Sequence, residues 1–136
     1  MARTIIQLIK ACAQRLRGSK LSRLGGKEIS EDLDKLVSRL ALKGRDEAVV
    51  FITVFENSCM GRSADLDDMA RYFDCTVLDM MEYTPALRSL MQRGLIALWD
   101  TGECNIVSQN FTVPSPVMNS ILDNRMPSYE KSEDVK

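Results

Sequence analysis

Residues 46–108 constrain the fold of this chain more than any other stretch, because their apolar spacing changes from helical to strand-like. This spacing predicts the following consecutive segments: a helix that begins at Arg45 or Asp46 and runs to 55, a helix at 63–73, a turn at 74–76, a helical stretch at 77–93, a strand at 95–99, a turn at 100–103 and a strand at 104–107. Three helices followed by a hairpin predict a winged helix-turn-helix, within a mostly α (α+β) fold whose two-stranded wing is the hairpin. Such a fold is used mostly for binding.

The residues at the helix ends predict where each helix begins. Ser63 is the expected N-cap of the first helix of the helix-turn-helix, and Thr76, with Asp79 three residues later, is the expected N-cap of the second. Pro85 is expected to break the second helical stretch into 77–83 and 85–93. Projected as one helix, that stretch directs five side chains away from the core: Asp79, Glu82, Ala86, Ser89 and Arg93.

An N-terminal helical extension precedes this body. Residues 3–17 have one apolar and one polar face, which is typical of an amphipathic helix. Ser30 is expected to cap a second helix, and Gly44 is expected to end it. The sequence therefore predicts three regions: a basic helical extension at 1–44, a winged-helix domain at 45–124, and a linker or disordered tail at 125–136.

Composition argues against catalysis. The chain has no histidine, so a Ser/His or Cys/His nucleophilic pair cannot form. The four cysteines lack the close pairs of a zinc site, and Gly25-Gly26-Lys27 lacks the other residues of a phosphate-binding loop. We therefore expect a chain that is not an enzyme and has no cofactor, metal or small-molecule substrate. No apolar run approaches the roughly 20 residues that cross a bilayer, so we also expect a cytoplasmic location and no membrane partner.

Charge is unevenly distributed, although the net charge is only −1. Residues 1–44 carry ten Lys and Arg against four Asp and Glu, whereas residues 45–113 carry five against eleven. If the chain binds double-stranded DNA, the basic extension would supply much of the attraction to phosphates. Asp79 and Glu82 oppose that hypothesis, because they lie on the helix that would enter the major groove.

Two hypotheses therefore remain open. One is a nucleic-acid-binding or regulatory module, and the alternative is a protein-interaction or dimerisation adaptor that does not bind DNA. In the adaptor, the basic and acidic segments would pack on each other, within one chain or between two copies. The candidate binding residues for nucleic acid or a partner are Arg15, Arg17, Lys20, Arg23, Arg71, Thr76, Arg88 and Arg93.

Several motifs resemble a known family. These are Asp68-Met69-Ala70-Arg71-Tyr72-Phe73-Asp74-Cys75 at a helix end, Arg93-Gly94-Leu95-Ile96 at the step into the wing, Phe111-Thr112-Val113, and Ile121-Leu122-Asp123-Asn124. Together they resemble the N-terminal winged-helix region that precedes the ATPase core in a group of bacterial AAA-family ATPases. The resemblance implies a separable module of an ATP-driven machine, used for DNA or partner recognition. It also implies that the ATP-binding residues lie in a downstream core, beyond a linker that starts after Asn124.

Overall fold

The computed structural model describes residues 3–21, 27–99 and 109–127. In these ranges the chain forms seven helices and one two-stranded antiparallel sheet: α1 (Ile5–Leu16), α2 (Lys27–Leu40), α3 (Arg45–Cys59), α4 (Leu66–Phe73), α5 (Val77–Met81), α6 (Thr84–Gln92), β1 (Ala97–Leu98), β2 (Phe111–Thr112) and α7 (Ser115–Leu122). The prediction of a mostly helical fold with a small β component is therefore confirmed. The predicted turn at 100–103, the predicted strand at 104–107, and Arg23 lie outside the described residues.

Helix α3 lies at the centre of the core. Nine consecutive residues, from Glu47 to Phe55, are buried on all sides of it, as its sequence predicts. Helices α1, α2, α4 and α6 and strand β2 all pack against α3. A single hydrophobic cluster runs from Ile5 in α1 to Ile121 in α7, so the extension and the body share one core. The division into three regions at residues 44 and 124 stays a prediction.

Two predicted helix starts are wrong. Helix α2 already begins at Lys27, so Ser30 lies inside the helix rather than at its N-cap. Ser63 is not the N-cap of α4, because Ala64 is extended and forms a β-bridge with Phe111 through two backbone hydrogen bonds of 2.8 and 2.9 Å. Asp65 caps α4 instead, where its carboxylate accepts from the backbone N–H of Asp68 at 2.8 Å. Pairing with the sheet therefore displaces the helix start by two residues.

The predicted end of α2 at Gly44 is also wrong. The helix ends at Leu40, and Ala41 adopts a left-handed conformation with a φ of 55°. The N–H of Leu42 then donates to the carbonyl of Val37 at 2.9 Å, which satisfies one of the terminal carbonyls of the helix. Gly44 precedes α3 as its N-cap.

The predicted break at Pro85 is confirmed, although the second piece begins one residue early, at Thr84. The break rotates α6 relative to α5, so the projection of one continuous helix fails for its C-terminal half. Ala86 is buried, the hydroxyl of Ser89 is buried, and the Arg93 side chain is only 21% exposed. Asp79 and Glu82, which precede the break, are exposed as predicted.

The sheet has a different register from the predicted hairpin. Ala97 pairs with Thr112, Leu98 pairs with Phe111, and the N–H of Trp99 donates to the carbonyl of Asn110 at 2.7 Å. A turn confined to 100–103 would place residue 104 opposite Trp99. The expectation of β structure after Gly94 holds, but the partner strand comes later in the sequence than predicted.

Candidate recognition surface

Helices α4 and α5 are joined by a turn whose ends are both capped. Asp74 takes up a left-handed conformation after α4, and the N–H of Cys75 donates to the carbonyl of Ala70 at 2.9 Å. Thr76 caps α5 as predicted: its hydroxyl accepts from the N–H of Asp79 at 3.1 Å, and the Asp79 carboxylate accepts from the N–H of Thr76 at 3.0 Å. This second hydrogen bond lowers the pKa of Asp79.

The segment after α1 docks on the end of α4. The N–H of Gly18 donates to the carbonyl of Tyr72 at 2.8 Å, and the N–H of Lys20 donates to the carbonyl of Phe73 at 2.5 Å. The Lys20 ammonium also lies 3.0 Å from the carboxylate of Asp74. Lys20 therefore contacts the end of α4 with its backbone and the turn after α4 with its side chain.

Arg17 is engaged in a cluster with Glu56 and Tyr72. Its guanidinium lies 2.6 Å from the Glu56 carboxylate and 5.5 Å from the centre of the Tyr72 ring. The hydroxyl of Tyr72 donates to the same carboxylate at 2.7 Å. The hydrogen bond with Glu56 raises the pKa of Arg17, whereas burial is the main cause that raises the pKa of Tyr72. The cluster joins the end of α1 to α3 and α4.

Arg15 pairs within the extension itself. Its guanidinium lies 2.8 Å from the buried carboxylate of Asp32 on α2, and Arg3 lies 3.4 Å from the other oxygen of that carboxylate. Burial is the main cause that raises the pKa of nearby Cys12 to about 12, and the Asp32 carboxylate adds to that rise. Asp32 was not predicted as a partner, because the pair comes only from the packing of α2 against α1, which sequence spacing does not show.

The remaining candidate arginines differ in their surroundings. Arg93 donates to the buried carboxylate of Glu47 on α3 and, at 2.6 Å, to the carbonyl of Ala41. Arg71 lies 2.9 Å from Asp67 in an exposed pair on α4. Arg88 is exposed on α6, and within the described part of the chain no carboxylate pairs with it. Five of the six candidate cations in the described ranges therefore already pair with a carboxylate of the chain.

Helix α5 carries a surface that the sequence analysis did not identify. Met80 is fully buried, but Leu78 is 74% exposed and Met81 is 40% exposed. Asp79 and Glu82 alternate with them and are exposed as well. We call the side chains of Leu78, Asp79, Met81 and Glu82 the α5 surface. The sequence does contain one signal for this surface. Leu78 and Met81 are apolar, but they lie outside the row of helix positions that faces the core.

The described residues form a concavity beside α6 but no cluster of metal ligands. No group of three or more Asp, Glu or Cys side chains among them could hold a metal ion. The concavity, of about 530 Å³, lies between the start of α3 and α6, where Lys43, Arg45, Asp46 and Ser89 are among its lining residues. These groups supply charges of both signs, and the buried Ser89 hydroxyl has no hydrogen-bond partner among the described residues.

Comparisons with known proteins do not assign the chain to a family. No protein-family model, curated protein or solved structure is significantly similar to it. None of the helices in the described ranges is both long enough and apolar enough to span a membrane.

Proposed function

We propose that this chain is a non-catalytic recognition module with a winged-helix arrangement, and that the macromolecule it recognises is a protein. The order of elements supports the arrangement: α3, the extended Ala64, α4, the turn at Asp74, α5 with α6, and the β1–β2 sheet. Ala64 and β1 lie on opposite sides of β2, which is how a third short strand would complete the sheet of a winged helix.

One observation carries the choice of a protein over DNA. Buried carboxylates of the chain already hold two of the cations that would have attracted DNA: Asp32 pairs with Arg15, and Glu47 pairs with Arg93. A phosphate would have to compete with those carboxylates for each cation, which removes most of the gain from counterion release. The helix that would enter the major groove instead carries the apolar and acidic α5 surface.

The wider context of the module is part of the same proposal. The resemblance to the N-terminal region of bacterial AAA-family ATPases supports a module that selects a partner for an ATP-driven machine in the cytoplasm. Cys12, Cys59 and Cys75 are all free thiols, as expected in a reducing compartment. In this proposal the ATP-binding residues belong to another part of the parent protein.

Binding to duplex DNA is the second candidate function. The observation that favours it is Arg88, which is exposed on the helix that follows Pro85 and has no carboxylate partner in the described ranges. Arg71 lies on the helix before the turn, and its pair with Asp67 is exposed enough to exchange for a phosphate. DNA binding would then depend on Arg88 and Arg71 rather than on the N-terminal extension.

The two functions are separated by a DNA titration at low salt. We expect that fluorescence anisotropy of a labelled duplex shows no saturable binding to the chain. The matched variants are Arg88→Glu and Arg17→Glu, which reverse one unpaired and one paired cation. Saturable binding that falls steeply with salt, and that Arg88→Glu abolishes while Arg17→Glu leaves it intact, would establish the second candidate in place of the first.

A further inference from the structure

We propose that the α5 surface binds a basic amphipathic segment of a partner protein, with apolar side chains flanked by Lys or Arg. This inference rests on the proposed function, and it adds the chemistry of the partner. It starts from Leu78, which is the second residue of a five-residue helix and is 74% exposed. Met81 lies three residues later, so the two apolar side chains are neighbours on the helix surface.

The α5 surface is held in place without using its exposed side chains for packing. Thr76 and Asp79 cap the helix, and Met80 inserts into the core from the opposite side. Leu78, which is 74% exposed, and Met81, which is 40% exposed, are therefore presented to solvent on a fixed backbone. An apolar pair on an ordered helix is the kind of feature that forms the centre of a helix-in-groove or helix-on-helix contact.

Charge complementarity indicates that the partner carries positive charge at this surface. The sequence from Tyr72 to Leu87 contains no Lys or Arg, and within the described ranges neither Asp79 nor Glu82 forms an ion pair. The nearby Asp74 is already paired with Lys20. A partner that covers Leu78 and Met81 also covers these two carboxylates, which have no Lys or Arg next to them in the sequence. The partner must therefore supply the Lys or Arg itself.

Other occupants fit this surface less well. A second copy related by a two-fold axis would bring the α5 surfaces together, and Asp79 and Glu82 would then face their own counterparts. A DNA duplex would bring phosphates against the same carboxylates, and its phosphates would form no favourable contact with the two apolar side chains. A basic amphipathic segment satisfies the charges and the apolar pair at once.

The test is selection from a library of random phage-displayed peptides, with the whole 136-residue chain as the target. We expect the enriched peptides to combine Leu, Ile or Phe with Lys or Arg at helical spacing. The best peptide, made synthetically, should lose about tenfold or more in affinity for the variant Leu78→Ser/Met81→Ser by calorimetry. The matched control is Leu122→Ser, which changes another exposed leucine, 59% exposed, on α7.

The charge part of the proposal has its own variant. Glu82→Gln removes one carboxylate without touching the capping bonds of Thr76 and Asp79, so α5 stays formed. We expect affinity to fall several-fold at low salt and the salt dependence to weaken. Circular dichroism of each variant shows whether the fold is retained.

Each contrary result would overturn a different claim. Enriched peptides that lack cations, or that bind Leu78→Ser/Met81→Ser as tightly as the unchanged chain, would overturn this inference and leave the proposed function standing. A concentration-dependent mass that Leu78→Ser/Met81→Ser abolishes would replace the basic segment with a second copy. Saturable DNA binding in the anisotropy titration would instead remove the proposed function itself.

Discussion

Helices α5 and α6 are neighbours in sequence, and each contains four Ala, Val, Leu or Met residues, but most of these are buried in α6 and exposed or half-buried in α5. Helix α6 buries Ala86, Leu87 and Leu90, and it packs directly on α3. Helix α5 buries only Met80 and leaves Leu78 and Met81 in solvent. The break at Pro85 makes this possible, because it lets the two helices turn different faces to the core.

The difference shows which apolar residues the fold needs. The side chains of α6 contribute to the core, so folding alone explains why they are apolar. Folding does not explain Leu78 in the same way, since it contributes little burial. Apolar residues that are fixed in place but unburied are the ones that a binding function would account for.

The sharpest test of the comparison applies the same truncation to both helices. Leu87→Ala removes a fully buried side chain and should lower the free energy of unfolding by about 2–5 kcal/mol. Leu78→Ala should change it by less than about 0.5 kcal/mol, because the side chain is mostly solvated. Urea denaturation followed by circular dichroism measures both. A loss at Leu78 comparable to that at Leu87 would mean that α5 belongs to the core.

The ion pair at the end of α6 should give the next largest effect. Arg93 follows the last turn of α6 and pairs with Glu47, whose side chain is only 6% exposed, so the pair ties α6 to α3. Glu47→Gln leaves the guanidinium without its counter-charge, and we expect a loss of about 2–3 kcal/mol in the free energy of unfolding.

The control for that experiment is an exposed pair. Arg71→Gln breaks the pair with Asp67 on α4, where both side chains are well exposed, and should cost less than about 0.5 kcal/mol. Equal losses for Glu47→Gln and Arg71→Gln in urea denaturation would show that α6 is not anchored by its C-terminal arginine.

Sequence periodicity predicted the helices that depend on burial. The stripe of α1, the all-round burial of α3, and the break at Pro85 follow from apolar spacing and from the covalent geometry of proline, both of which are local properties. The cap at Thr76 could be predicted for the same reason, since its partner Asp79 is three residues away.

Features that depend on distant residues could not be predicted in this way. Ser63 fails as a cap because Ala64 pairs with Phe111, which lies far along the chain. The pairs of Arg17 with Glu56 and of Arg15 with Asp32 likewise need the packed fold before the partners can be named. Tertiary contacts therefore decide which of the candidate cations are available to a ligand, and the sequence alone does not show these contacts.

The smallest expected effect concerns the N-terminal ends of α5 and α6, which differ in whether a side chain caps them. The N–H of Thr76 lowers the pKa of Asp79 below its ordinary value of 3.8, whereas α6 has no side-chain capping bond at Tyr83. A carboxylate with a lowered pKa in the folded state contributes its full stabilisation above the unfolded pKa. That contribution is lost as the pH falls through the folded pKa. Acid should therefore loosen the first turn of α5 before it affects α6.

This prediction can be followed at one atom. The amide proton of Thr76 should shift, in two-dimensional ¹H–¹⁵N NMR spectra, with a midpoint below pH 3.8, as protonation of Asp79 weakens the bond to it. The control variant Asp79→Asn cannot titrate and should show no such midpoint. An unchanged midpoint in Asp79→Asn would assign the shift to another carboxylate. In that case the cap of α5 would not depend on charge, and α5 would resemble α6 in how it begins.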